Sequence, residues 1–271
     1  MDGKQLQTQY KEHLSDFNNW NQKEHAEDFI LYPKNIGYHL CIDETALSKG
    51  ELYTILTNRD KHGRKGTIVA IVKGTKAEDV INVLLKIDAD KRNQVKEITL
   101  DMAGSMQKIA KRCFPGAMQV VDRFHVSKLV YEAVQDLRIA YRWQVMKDEN
   151  RKIKEAKAKG ESYEPKVFGN GDTLRQLLAR SRYLLFKAPD KWLQSQKVRA
   201  KLLFEQFPDI KSVYYYALRL GKIFSDYTDK DVARAKLALW YNEIEEFGYD
   251  TFTTVANSIE NHYERILNYF V

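Results

Sequence analysis

Residues 95–125, VKEITLDMAGSMQKIAKRCFPGAMQVVDRFH, carry the densest chemical pattern in the chain. VKEITLD reads as a strand from its β-branched and apolar content, and it ends on Asp101. AGSMQKIAKRCF reads as a short helix, with Met106, Ile109, Ala110 and Cys113 recurring at helical spacing, and Pro115 and Gly116 stop it. AMQVV is a second apolar strand ending on Asp122, with His125 three residues on. Ligands and chemistry collect at the carboxyl ends of strands in open α/β sheets, so acids placed there are site candidates. Asp101 has a second reading as the cap of the helix that follows it.

Towards the N-terminus, KAEDVINVLLKID (76–88) sets Val80, Val83, Leu84 and Ile87 on one face and predicts an amphipathic helix. ELYTILTN and GTIVAIV predict an antiparallel hairpin joined by the charged loop RDKHGRK, whose Lys61, Arg64 and Lys65 read as a solvated tip or a phosphate contact. YHLCID predicts a strand that ends at Asp43. Side chains alternate along a strand, so Asp43 and Glu44 cannot both face one site; Asp43, which closes the apolar run, is the candidate. Residues 4–30 read as a polar helical arm with a narrow stripe of Leu6, Tyr10, Leu14 and Phe17.

Beyond Asp122 the strand pattern stops. Residues 126–160 predict one long helix with a basic run containing Arg138, Arg142, Lys147, Arg151 and Lys152. The GNGD turn at 169–172 and later prolines separate helices expected at about 173–187, 190–206, 209–224, 229–246 and 251–270. The expected organisation is an arm over 1–34, an α/β core over 35–125 and an all-helical domain over 126–271. Tyr214, Tyr215, Tyr216, Trp240, Tyr241 and Phe252 read as core aromatics of the last part, with a base-stacking platform as the alternative.

Composition bounds the function classes. The chain has 271 residues, 44% apolar, with a formal charge of +7 and a pI near 9.1, which excludes a disordered class and favours a polyanionic partner. Two cysteines, Cys41 and Cys113, each within an apolar run, give no disulfide or zinc framework. The N-terminus lacks the apolar core of a signal peptide, and no run of about 18 apolar residues forms a membrane span. The expected setting is cytoplasmic.

Up to Asp122 the order is three strands in hairpins, a helix, a strand, a helix and a strand, which is the order of an RNase H-like mixed sheet with flanking helices. Such a sheet puts its first and fourth strands side by side, so Asp43 and Asp101 would converge. Two carboxylates, with water and substrate phosphate oxygens, suit Mg²⁺ in phosphoryl transfer.

The phrases IDETALSKGELYTILTN, ITLDMAGSMQKIAKRCFP and VVDRFHVSKLV resemble bacterial insertion-sequence transposases of the D-D-E superfamily, and the likeness runs on more loosely to HYERILNYF. The resemblance implies an RNase H-like core extended by a helical insertion, with Asp43 and Asp101 as catalytic acids holding Mg²⁺, Mn²⁺ being an alternative. It places Asp122 and His125 as an Asp-x-x-His motif that assists at the scissile phosphate or anchors the insertion helix. The implied reaction is hydrolysis of a transposon-end phosphodiester, then strand transfer to target DNA. Implied partners are double-stranded DNA, further copies of the chain and, for end recognition, a separate DNA-reading chain. In the family a catalytic Glu follows an ILNYF-like phrase, so the third acid is expected past Val271 and the chain alone to be weakly active or inactive. Glu260 and Glu264 are the alternatives within it. Two other functions fit the same residues: an inactive DNA-binding remnant of a transposase, separated by a metal-dependent cleavage assay, and an RNase H-like nuclease, which would lack the long helical insertion.

Overall fold

The computed structural model describes residues 2–47, 50–248 and 250–270. The chain divides into two compact units, Met1–Asp122 and Arg123–Val271.

In the first unit, helix α1 (Gly3–Gln9) leads through short turns to β1 (Phe29–Leu31), β2 (His39–Ala46), β3 (Leu52–Asn58) and β4 (Ile68–Lys73). Helices α2 (Ala77–Leu84) and α3 (Ala89–Asn93), strand β5 (Glu97–Leu100), helix α4 (Gly104–Cys113) and strand β6 (Met118–Val121) complete it. The six strands lie in the order β1-β4-β3-β2-β5-β6. β2, β3 and β4 pair antiparallel, while β5 runs parallel to β2 and β6 parallel to β5. This is the RNase H-like mixed sheet.

Alternation along β2 explains the layering. Leu40 and Ile42 are buried beside Leu56 of β3 and Ile98 and Leu100 of β5, and the apolar faces of α2 and α4 close over them. Val80 and Leu84 of α2 and Met106, Ile109 and Ala110 of α4 are all buried there. Burial of each such Leu, Ile or Met contributes about 1.5–3 kcal/mol, which fixes the face β2 turns to the helices. Cys41 and Asp43 therefore lie on the opposite face.

The N-terminal segment departs from a continuous polar helix. After α1 and a π-helical turn at Tyr10–Leu14 the chain breaks into 3-10 turns. Phe29–Leu31 then pairs antiparallel with β4, putting Phe29 and Leu31 against the core. Gln22 holds this edge through a 2.6 Å hydrogen bond from the Leu31 N–H. An edge strand of three residues is too short for period-2 alternation to reveal it.

The second unit is helical. α5 (Arg123–Ala158) has 36 residues, a length of about 54 Å at 1.5 Å per residue. Its buried residues run from Val126 to Arg138, and the rest of the helix buries none. α6 (Leu174–Arg180), α7 (Gln194–Gln206), α8 (Pro208–Asp226), α9 (Lys230–Phe247), α10 (Asp250–Asn261) and α11 (Tyr263–Leu267) follow. Thr173 and Gln176 form a capping box at α6, and Asp229 accepts from the Asp231 and Val232 N–H groups at α9. α6 stops earlier than helical periodicity predicts, at Ser181, whose hydroxyl donates back to the Leu177 carbonyl at 2.6 Å. No helix among the described residues is long and apolar enough to cross a membrane.

Candidate functional site

The parallel register between β2 and β5 pairs Leu40 with Ile98 and Cys41 with Thr99. Carried two residues further, the same register sets Asp43 level with Asp101. The register of β5 with β6 pairs Leu100 with Val121, and the Asp122 N–H donates to the Leu100 carbonyl at 2.9 Å, so Asp122 comes level with Asp101. Leu40 and Leu100 face the helices, and alternation therefore turns all three acids to the other face. Adjacent strands are about 4.8 Å apart and alternate ones about twice that. Among the described residues, no group of three or more His, Cys, Asp or Glu side chains is gathered closely enough to hold a metal ion.

Local hydrogen bonds position the two neighbouring acids. Asp43 Oδ1 accepts from the Glu44 N–H at 2.8 Å. Asp101 Oδ1 accepts from the Ala103 N–H at 2.8 Å in an Asx turn. The N-cap position of α4 belongs to Ala103, which has no side-chain cap. Asp101 therefore does not cap α4: its Oδ1 accepts from the N-cap residue's own N–H and from none inside the helix.

The electrostatics of this strand end are those of crowded negative charge. Partial desolvation raises the Glu44 carboxyl above its usual range, and the charges of Asp101 and Asp43 raise it further. Burial pushes the Cys41 thiol up to about 11, the carboxylates of Asp122 and Asp43 add to the rise, and the Arg59 guanidinium opposes it. Arg59 lies on the acid face, its Nη1 donating to Glu97 Oε1 and to Thr99 Oγ1, both at 2.6 Å. Sequence reasoning missed it because it sits in the charged hairpin loop, where its side chain's direction depends on β3 lying two strands from β5.

A cation of the Mg²⁺ type fits this donor set. Magnesium takes one or two carboxylates and fills the rest of its shell with water and substrate phosphate oxygens, and Asp43 and Asp101 are hard oxygen donors on adjacent strands.

The remaining candidates lie in the helical unit. His125 is half-buried in the first turn of α5, its ring edge-on to Phe124 at 5.6 Å between centroids. Glu260 accepts from the Tyr241 hydroxyl at 3.4 Å, and Glu264 pairs with Arg234 at 3.4 Å. Lys147, Arg151 and Lys152 are exposed on α5, with Arg151 flanked by Asp148 at 3.2 Å and Glu155 at 3.9 Å, while Arg142 is half-buried.

Arg138 corrects the basic run. Only 4% exposed, it donates from Nε to Gln135 Oε1 at 2.7 Å and from Nη1 to the Leu178 carbonyl at 2.9 Å. Burial lowers its guanidinium pKa, with Arg142 and Arg182 adding to the effect. The side chain ties α5 to the last turn of α6 and is unable to reach a phosphate. Of the aromatics expected in the core, Tyr214, Trp240 and Phe252 are buried, whereas Tyr215 is 44% exposed.

A mixed sheet bearing level acids on adjacent parallel strands, Asp43 within β2 and Asp101 just past β5, followed by a large helical unit, defines an RNase H-like core extended by a helical insertion. The family model for DDE transposases of the ISL3 group, described as Transposase, matches residues 40–271, and the chain belongs to this transposase family. No curated protein and no solved structure matches the chain. Membership makes the chain a transposase, an enzyme class that acts on DNA.

Proposed function

We propose that Asp43 and Asp101 are the catalytic acids of a metal-dependent DNA strand cleavage at transposon ends, followed by strand transfer to target DNA. The observation that carries this reading is the common level of the two residues on β2 and β5. Mg²⁺, or Mn²⁺ in its place, bound there would activate the attacking water or 3′-hydroxyl and neutralise the leaving oxygen. The chain's own part is to hold two carboxylates in place through the Asp43–Glu44 and Asp101–Ala103 contacts, so that little reorganisation accompanies substrate binding. Asp122 and His125 are assigned an assisting role at the start of α5. Lys147, Arg151 and Lys152 supply phosphate contacts without sequence preference, and end recognition and assembly on DNA fall to further copies or a separate chain.

The test is cleavage of a labelled transposon-end duplex in Mg²⁺, with D43N and D101N compared with the unchanged chain. Each substitution is expected to lower the rate by about 100-fold or more, the range seen when one charge-stabilising group is removed. Cleavage by D43N and D101N at the rate of the unchanged chain would overturn the assignment.

A further inference from the structure

We infer that the groove between α7 and α8 is a binding site for single-stranded DNA, with Tyr215 as the stacking surface and Lys197 and Lys211 as phosphate contacts. A cavity of about 370 Å³ lies between the two helices, and a second of about 420 Å³ continues it along the face of α8, the two sharing Lys211 and Tyr215. Each is in the range of organic-ligand clefts and has room for a nucleobase.

Its floor is a rigid set of rings. Trp192 stacks on Tyr214 at 5.6 Å between centroids, Phe204 lies 5.6 Å from Tyr214 and 6.2 Å from Tyr215, and Tyr215 sits edge-on to Tyr214 at 5.4 Å. Tyr214 is buried and anchored through its hydroxyl to the Lys187 carbonyl at 2.5 Å. This holds Tyr215 at the surface with 44% of its area open. An exposed aromatic held in this way can offer a face to any base, because stacking needs no hydrogen-bond code.

Charge selects the occupant. Lys197 and Lys211 are exposed, and among the described residues neither has a carboxylate at ion-pair distance. Lys201 lies 4.0 Å from Glu205, the one carboxylate among the described residues of the groove's lining, which leaves Lys197 and Lys211 as its uncompensated charges. Arg219 at the far end is excluded, since its guanidinium is held by both oxygens of Glu243 at 2.6 and 2.8 Å. Uncompensated lysines interleaved with aromatics fit a sugar-phosphate chain with splayed bases. A base paired in duplex keeps its faces stacked on its neighbours and has none to offer Tyr215.

The inference rests on DNA being the substrate and not on the acids of the sheet. It is tested by fluorescence anisotropy of the full chain with a labelled oligothymidylate and with a duplex of equal length, in chelator without divalent ions. K197Q/K211Q is expected to weaken oligothymidylate binding and to flatten the slope of log affinity against log salt by about 1.4, since each phosphate contact on a single strand adds about 0.7. Y215L is expected to weaken oligothymidylate binding at least fivefold while leaving the duplex unaffected, and Y215F to retain binding. Unchanged oligothymidylate affinity in K197Q/K211Q, or equal losses for strand and duplex in Y215L, would overturn the inference. With no divalent ion present, such a failure counts against the groove alone and leaves the metal-site reading to its cleavage test.

Discussion

Asp172, with no exposed surface, receives the Nε of Arg199 at 2.8 Å on one carboxylate oxygen and Nη1 of Arg180 at 2.5 Å on the other. The Asn170 amide adds a third donor at 2.8 Å. One carboxylate thus joins the Asn170–Asp172 turn, the last turn of α6 and the middle of α7. Removing it leaves Arg199 largely buried without its counter-charge. D172N is expected to cost about 2–3 kcal/mol, below the 3–5 typical of a fully buried pair because Arg180 is half exposed and can turn to water. Thermal or denaturant unfolding of the two proteins measures this.

The same carboxylate predicts an acid-limb dependence. Burial alone would raise its pKa, but the hydrogen bonds from Arg199 and Arg180 outweigh burial and hold it below the usual range. A depressed native pKa contributes stability that is fully present above the unfolded value of about 3.9 and is lost as pH falls through the native one. Stability measured from pH 6 down to pH 3 is expected to fall less steeply in D172N than in the unchanged chain.

For the strand-end acids, metal binding is separable from catalysis. A divalent ion that binds only the folded chain raises its stability by about 2.7 kcal/mol at a hundredfold excess over Kd. Mn²⁺ titration is expected to raise the melting temperature of the unchanged chain and to raise it less in D43N and D101N. An equal rise in all three would remove these residues from the metal site.

Arg138 and the exposed end of α5 are expected to behave oppositely. R138A strands the Leu178 carbonyl and Gln135 amide oxygen in a buried setting, at about 1–3 kcal/mol for the unsatisfied groups. It is expected to leave the salt dependence of duplex binding unchanged. K147Q/K152Q is expected to leave stability unchanged and to flatten that dependence by about 1.8, at about 0.9 per phosphate contact. Paired melts and salt titrations decide both.

Both thiols are expected to resist alkylation. Burial pushes Cys41 and Cys113 each up to about 11, so at pH 8 only about one molecule in a thousand is thiolate at either site. Iodoacetamide labelling followed by mass spectrometry should show slow modification of the native chain and rapid modification in denaturant.

Much of the first unit was readable from local pattern. Strands β2 and β5 each alternate or fill with apolar residues up to an acid, but only β5 stops there, at Leu100 just before Asp101; β2 runs on past Asp43 to Ala46 because β3 keeps pairing with it as far as Leu52. The βαβ order from β5 through α4 to β6 follows from periodicity and the Pro115–Gly116 stop. Likewise the start of α8 at Pro208 and the end of α9 at Gly248, which adopts a φ of 69°, follow from the conformational limits of those residue types. Phrases shared with insertion-sequence transposases carried the family, which the match over residues 40–271 establishes.

What periodicity left open depends on contacts distant in sequence. β1 becomes a strand only because β4 offers its edge. Arg138 looks like one more member of a basic run until α6, returning 40 residues later, places the Leu178 carbonyl against it. Asp172 reads as a turn residue until Arg199 arrives from 27 residues away. Tyr214 and Tyr215 are chemically identical neighbours, and only the packing of α7 on α8 buries one and exposes the other. Local pattern fixes where the backbone can form helix or strand, because those hydrogen bonds close over a few residues. Which side chains are desolvated, and which charges meet, is set by the faces that packing covers.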